Sequence, residues 1–189
     1  WTEAPPWHVS KGLRLSAFAL AILALIGLAL WFFGFGYVPF LISVLIGQAF
    51  VFRFREQIQT VIRSVDVPAK DLQLLEEVLQ RIEQEQFTSA RLVELRAALD
   101  VAGLAPSQQI AKLKRLIELL DSIRNPFFAP IAFMLLWPMQ IAMAIELWRQ
   151  RSGPAVGRWL AAIGEIEALS SLAGYAFEHP DDPFPELVE

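Results

Sequence analysis

The sequence contains few recognisable groupings of side chains that could perform acid–base or nucleophilic chemistry, although it has 20 Asp and Glu. The chain has no cysteine, and its two histidines, His8 and His179, stand near opposite ends. Glu165 and Glu167 form a carboxylate pair, but two residues apart on a helix their side chains diverge by about 200° and cannot act on one substrate atom. We therefore expect both histidines to be surface or capping residues, and we assign no catalytic residue.

The group Glu178, His179, Asp181 and Asp182 is the densest set of potential metal ligands. Two prolines lie within or next to this group and limit its convergence on one ion, so we expect a solvated turn and no metal site. The sequence also lacks a G-x-x-x-x-G-K-[ST] phosphate loop, a G-x-G-x-x-G motif, H-E-x-x-H and a nucleophile elbow. We expect no cofactor and no ATP in this chain, and the chain as given not to be an enzyme.

Charge argues against nucleic-acid binding by the larger part of the chain. From Glu56 onward there are 12 Lys and Arg against 19 Asp and Glu, a net charge of −7. The densest basic cluster is Lys112, Lys114 and Arg115, which the helical periodicity places on a solvated face rather than in a phosphate site. Binding to nucleic acid needs a local positive surface, and its assignment to this segment is therefore doubtful.

The elements around these residues begin with a long apolar stretch. Leu15 to Phe52 contains 38 residues without Asp, Glu, Lys or Arg, interrupted near its middle by Gly34-Phe35-Gly36. The first block, Leu15 to Phe33, would span roughly 28 Å as a helix, close to the thickness of a bilayer core, and the second, Tyr37 to Phe52, is slightly shorter. The stretch predicts a transmembrane helical hairpin.

Flanking charges predict the orientation of this hairpin. Lys11 and Arg14 precede it, Arg53, Arg55 and Arg63 follow it, and the turn carries no charge, so both ends are expected in the cytoplasm. A signal peptide is disfavoured because a second apolar block follows at once. We expect the chain to reside in the cytoplasmic (inner) membrane, with membrane lipid as a partner and most of the chain on the cytoplasmic side.

Small residues predict how the two membrane helices meet. Ala17 and Ala21 in the first, and Ser43 and Gly47 in the second, are spaced four apart and place a smooth strip on one face of each helix. The sequence leaves open whether these strips pack together or are ordinary spacers.

Apolar periodicity predicts further helices after the hairpin. Glu56 to Ser64 is expected to continue the second span, and Asp66-Val67-Pro68 to end it. Amphipathic helices are then predicted from Ala69 to Gln86, from an N-cap at Thr88 or Ser89 to a stop near Gly103, and after Pro106-Ser107 to Asn125-Pro126. The expected buried positions of these helices are Leu72, Leu75, Leu79, Ile82, Leu92, Leu95, Leu99, Ile110, Leu113, Ile117, Leu120 and Ile123.

Phe127 to Ile145 has 19 residues without charge, so its length alone admits a third membrane span. Pro130 and Pro138 interrupt it, and charged residues flank both sides. We favour a buried helix, or a pair of half-helices, within the cytoplasmic domain. A last helix is predicted to start at Ser152-Gly153-Pro154, before an extended acidic and proline-rich tail.

These predictions combine into an all-α protein in four parts. They are an N-terminal flank (1–14), a transmembrane hairpin (15–55), a helical domain (56–177) and an extended linker (178–189). Because the first residue is Trp1 rather than Met, we expect a processed product or a piece of a longer protein.

Five segments carry a resemblance to MutS-family ATPases. They are Leu119–Pro126, Glu146–Arg149, Ile163–Ala173, Tyr175–Pro180 and Phe184–Glu186. In that family, a long helix with an acidic-x-hydrophobic-small-x-Leu-Ala pattern ends the helical core and leads into the ATPase domain. The sequence is most similar to the MutS-related branch that carries transmembrane helices before this core.

The resemblance implies a membrane anchor with a core and lever region, whose ATPase domain lies downstream. ATP and Mg are implied only in that missing domain, which would be a partner of this segment, and a homodimer is allowed. Phe54-Arg55-Glu56 and Phe184-Pro185-Glu186 match the Phe-x-Glu spelling of mismatch recognition by accident, so DNA mismatch binding is not carried over. The alternative is a free-standing, membrane-anchored helical adaptor for protein–protein interaction.

Overall fold

A computed structural model describes residues 7–65, 69–100 and 105–182. All of their regular secondary structure is helical, which confirms the all-α prediction within these ranges. A short 3-10 turn, Ser122–Arg124, follows the sixth helix. The α-helices are α1 Lys11–Phe32, α2 Val38–Arg53, α3 Arg55–Ser64, α4 Ala69–Gln84, α5 Ala90–Leu99, α6 Pro106–Asp121, α7 Ala129–Met134 and α8 Trp137–Glu178.

Helices α1 and α2 pack against each other as a hairpin. The Ser10 side chain caps α1 by accepting a hydrogen bond from the Leu13 N–H at 3.1 Å. Gly34 and Gly36 turn the chain, each with φ of +89°, a conformation that glycine adopts without a steric penalty. Most large side chains of this hairpin are exposed, including Phe32 and Phe33, so its outer surface is apolar.

The small residues predicted to form smooth strips are buried. Ala17 and Ala21 are at most 5% exposed, and Ser43 and Gly47 are also buried. Gly27 is a further small residue at this interface, outside the predicted strips, and an added Cβ there would lie 2.8 Å from the Phe40 Cα. The absence of a side chain at Gly27 therefore allows the two backbones to approach closely at this point.

Gly27→Ala is expected to separate α1 from α2 locally and destabilise the hairpin by about 1 to 3 kcal/mol, because the obstructing atom belongs to the backbone. Gly12→Ala in the same helix is the matched control, since its nearest neighbour is 3.9 Å from the added Cβ. That variant should be neutral or up to about 1 kcal/mol more stable. Unfolding in detergent, followed by circular dichroism, measures both, and equal effects would contradict the close approach.

α1 is the one helix in the described part of the chain that is by itself long and apolar enough to cross a bilayer. α2 and α3 meet the same criterion only together, and the chain bends by 65° between them. The residues up to Ser64 are helical, as predicted, but they do not continue the axis of the second span. α3 turns away because Ile58 and Val61 on its apolar face join the core of the helical domain.

Helices α3, α4, α5, α6 and α8 form that domain, with α4 against α6 and α8 against α3, α5 and α6. The amphipathic stripes predict its core well, and Leu75, Leu92 and Leu120 lie half-buried at its border. The predicted breaks at Asp66-Val67-Pro68 and near Gly103, and the tail from Pro183, lie outside the described residues. The predicted positions that are fully buried are Leu72, Leu79, Ile82, Leu95, Leu99, Ile110, Leu113 and Ile117.

α8 runs through Ser152-Gly153-Pro154 without a break, so the predicted helix start at this point is wrong. A proline inside a helix costs about 3 kcal/mol, and tertiary packing offsets that cost here. Three tryptophans eleven residues apart occupy one face of α8, because eleven residues make close to three turns. The indole N–H groups of Trp137, Trp148 and Trp159 donate to the carbonyls of Leu119, Gln109 and Leu99, at 2.8 to 3.0 Å.

The uncharged stretch 127–145 forms two helical pieces, which agrees with the predicted pair of half-helices. α7 ends at Met134, and α8 begins after Leu136, which adopts the left-handed conformation with φ of 53°. From Met139 to Ile145 the stretch is largely buried in the domain, whereas Phe127, Ile131 and Phe133 are exposed. The prediction of burial is therefore right for the second piece and wrong for these three residues.

Candidate functional site

The junction between the hairpin and the helical domain holds a buried ion pair on α8. Glu146 is 1% exposed and Arg149 is 7% exposed, and the guanidinium donates to both carboxylate oxygens, at 2.8 and 3.0 Å. Burial of such a pair is favourable only when further hydrogen bonds satisfy it. Glu146 also accepts from the Trp7 backbone N–H and from the Gln150 side chain.

These bonds connect the residues before α1 to α8. Gln150 donates in turn to the Trp7 carbonyl at 2.9 Å, so both backbone groups of Trp7 are bound to α8. The Trp7 ring lies 6.4 Å from Phe54, at the bend between α2 and α3. The start of the hairpin, its end and α8 therefore meet at one point.

A groove of about 870 Å³ lies between α1, α6 and α8. Arg14 of α1, Lys112 of α6 and Arg151 of α8 all line it. Within the described residues, none of these three cations has a carboxylate oxygen within 4 Å, whereas the neighbouring Lys114 pairs with Glu76 at 2.6 Å. Lys112 and Arg115 of the predicted basic cluster are exposed, as expected for a solvated face, and Lys112 also lines the groove, whereas Lys114 is half-buried beside α4.

The groove is polar at one end and apolar at the other. Near its cations lie Gln109 and Ser152, which are hydrogen-bonded to each other at 3.0 Å. The apolar lining lies one helical turn further along each chain segment. Phe18 follows Arg14 on α1, and Leu116 follows Lys112 on α6, in the direction of Trp137. The arrangement provides cationic donors beside an apolar trough and contains no pair of groups suited to acid–base catalysis.

α7 and the start of α8 contact the hairpin well inside its apolar part. The Gln48 amide donates to the Phe133 carbonyl at 2.9 Å, and the Leu136 side chain lies against Gly47. Both contacts on α2 precede Arg53 by five or six residues, or about 8 Å along the helix. The exposed rings of Phe127 and Phe133 extend the apolar surface of the hairpin onto α7.

The far end of α8 carries the carboxylates considered in the sequence. Glu165 accepts two hydrogen bonds from Arg91 of α5, at 2.6 and 2.8 Å, whereas Glu167 lines a separate groove with α4. The predicted divergence of the pair therefore agrees with the structure. Hydrogen bonding to Arg91 lowers the pKa of Glu165 below its usual value of 4.5.

The ion pair between Glu165 and Arg91 predicts that the stability of the fold depends slightly on pH in acid. Because its pKa is depressed in the folded state, Glu165 stabilises the fold above about pH 4.5, and this contribution disappears as the pH falls through the lower folded-state pKa. Glu165→Gln should lower the unfolding temperature at pH 7 and have no such effect at about pH 2. Glu167→Gln is the control and should show no such difference. An equal effect of Glu165→Gln at both pH values would contradict the role of the pair.

The remaining candidate residues do not assemble into a site. His8 is exposed, and His179 is exposed and stacks on Tyr175 with ring centroids 4.5 Å apart. Asp182 accepts from the Tyr175 hydroxyl at 2.6 Å, which raises the pKa of Tyr175. Over residues 7–65, 69–100 and 105–182, no three His, Cys, Asp or Glu side chains are placed to hold a metal ion.

Comparison of the chain with protein-family models, with curated proteins and with solved structures found no match.

Proposed function

We propose that this chain is the non-catalytic membrane anchor and helical core and lever segment of a MutS-like ATPase. In this role it couples an ATPase domain located elsewhere in the protein to the membrane or to a partner. The MutS-like assignment rests on the sequence motifs given above, and the geometry supports the mechanical part of the proposal.

The hairpin suits a membrane anchor. Its two helices approach closely where Gly27 faces Phe40 and Ser43, and they present large apolar side chains outward, which is how helices pack in lipid. Arg14 and Arg53 stand at its open end, and the charge-free turn stands at the other, so the positive-inside rule favours a cytoplasmic helical domain.

The observation that best supports a lever function is the continuous length of α8. Its 42 residues extend about 63 Å. Leu136, directly before its first turn, contacts Gly47 of the hairpin, and its last turns, around Phe177, are exposed. Movement at the C-terminal end of such a rod is transmitted to the membrane end, because the tryptophan contacts fix the rod to α5 and α6.

The reading frame beyond Glu189 tests the assignment first. The proposal expects a G-x-x-x-x-G-K-[ST] phosphate loop downstream, and a stop codon directly after Glu189 would contradict it.

Coupling between the ATPase domain and the membrane is then tested in the complete gene product by interrupting α8. Gly164 has open space around it, so Gly164→Pro disturbs the α8 backbone with few side-chain clashes, and Gly164→Ala is the matched control. We expect insertion into vesicles to change the ATPase rate of the wild type and of Gly164→Ala, and this response to be lost in Gly164→Pro. A retained response in Gly164→Pro would contradict the lever.

One observation favours the alternative, a membrane-anchored adaptor. Leu172, Tyr175 and Phe177 are each more than half exposed at the end of α8, and they could dock a partner protein. The same reading-frame result discriminates the two functions, because an adaptor needs no downstream phosphate loop.

A further inference from the structure

Three cations from three different helices line one groove at the base of the hairpin. Arg14 is the last charged residue before the apolar stretch that begins at Leu15, so it marks the depth at which α1 would enter a bilayer. Lys112 and Arg151 reach the same groove from α6 and α8. In the described part of the chain no carboxylate within 4 Å neutralises any of them, which leaves their donors free for an anion.

The apolar end of the groove restricts the kind of anion. Phe18 is more than half exposed, lies one turn beyond Arg14 and belongs to the apolar stretch itself. Leu116 and Ile141 continue the same lining beside Trp137. A free phosphate would use only the cationic end, whereas a phospholipid places its phosphate among the cations and an acyl chain along the apolar wall.

We propose that this groove is a binding site for an anionic phospholipid, with the headgroup phosphate held by Arg14, Lys112 and Arg151. The inference rests on the proposed membrane anchoring. A lipid bound there would connect α1 to α6 and α8, in addition to the direct contacts of Ala17 with the domain core and of Gly47 with Leu136. The lipid therefore stabilises the position of the rod relative to the bilayer.

The test compares two triple variants of the complete chain. The first is Arg14→Gln, Lys112→Gln, Arg151→Gln. The second, Lys11→Gln, Arg115→Gln, Arg158→Gln, removes one exposed cation from each of the same three helices outside the groove, so its net charge is identical. Binding of phosphatidylglycerol to the chain in neutral detergent is measured by native mass spectrometry. Phosphatidylcholine serves as the uncharged comparison, and inorganic phosphate and glycerophosphoglycerol serve as competitors.

We expect one phosphatidylglycerol per wild-type chain, binding weakened about 10-fold or more in the groove variant, and binding within about 3-fold of wild type in the control variant. Equal losses in both variants, or equal binding of phosphatidylcholine, would overturn the site. Displacement of the lipid by millimolar inorganic phosphate would assign the groove to a soluble anion and overturn the proposal. Flotation with vesicles of phosphatidylcholine alone separately tests the anchoring, because insertion there does not depend on this site.

Discussion

Glu146→Ala is expected to destabilise the helical domain by about 3 to 5 kcal/mol, because it leaves the buried Arg149 guanidinium without the carboxylate that accepts two of its hydrogen bonds. It also removes the acceptor for the Trp7 N–H. Chemical unfolding in detergent, followed by circular dichroism, measures the loss. Glu167→Ala, an exposed position on the same helix, is the control and should change stability by about 0.5 kcal/mol or less.

A double variant separates the charge from the packing at this position. Glu146→Leu with Arg149→Met removes both charges and keeps apolar volume, so it should recover most of the stability lost in Glu146→Ala. A Glu146→Ala variant as stable as the Glu167→Ala control would show that the pair does not hold the junction together.

Leu136→Asp is expected to be still more disruptive and to detach α7 and the start of α8 from the hairpin. Leu136 is 2% exposed and lies against Gly47, so the new carboxylate would be buried in apolar surroundings at a cost of several kcal/mol. The backbone does not account for this loss, because aspartate tolerates the left-handed conformation at this position better than leucine does.

Two further variants support this interpretation. Leu172→Asp on the exposed part of α8 should leave stability within about 0.5 kcal/mol of wild type. Leu136→Asn keeps the backbone preference without the charge and should lie between wild type and Leu136→Asp. If Leu136→Asp unfolds at the same denaturant concentration as Leu172→Asp, the contact between Leu136 and Gly47 does not join the two parts.

Local sequence patterns predict the helices and turns that depend mainly on neighbouring residues in the chain. The apolar stretch and the Gly34-Phe35-Gly36 turn predict the hairpin, and the leucine and isoleucine spacing predicts the buried faces of α4, α5 and α6. The spacing of the small residues in α1 and α2 is also visible in the sequence, but it does not include Gly27, which faces Phe40. These signals are readable because each depends on residues within two or three turns.

The errors occur where tertiary contacts override local preference. Ser152-Gly153-Pro154 predicts a helix break, but α8 continues through it, and Trp148 and Trp159 on either side are hydrogen-bonded to α6 and α5. The eleven-residue spacing of the three tryptophans is a sequence signal that places them on one face of a single long helix. The bend at Phe54 had no such signal, because its cause is the burial of Ile58 in a core built by later helices.

The groove could not be predicted from the sequence for a related reason. Arg14, Lys112 and Arg151 are far apart along the chain. The helical periodicity predicts that Lys112 lies with Lys114 and Arg115 on one solvated face. The packing of α6 against α4 and α8 places Lys112 on the groove that Arg14 and Arg151 also line. Nothing in the local periodicity distinguishes it from Arg115.

The most direct test of the membrane hairpin uses the absence of cysteine, which makes single-cysteine labelling unambiguous. Phe35→Cys places a thiol in the hairpin turn, and Gln80→Cys places one on the exposed face of α4. In intact cells, a membrane-impermeant maleimide should label Phe35→Cys directly and Gln80→Cys only after the membrane is permeabilised. Labelling of both positions from the same side would contradict a hairpin that crosses the bilayer with the helical domain in the cytoplasm.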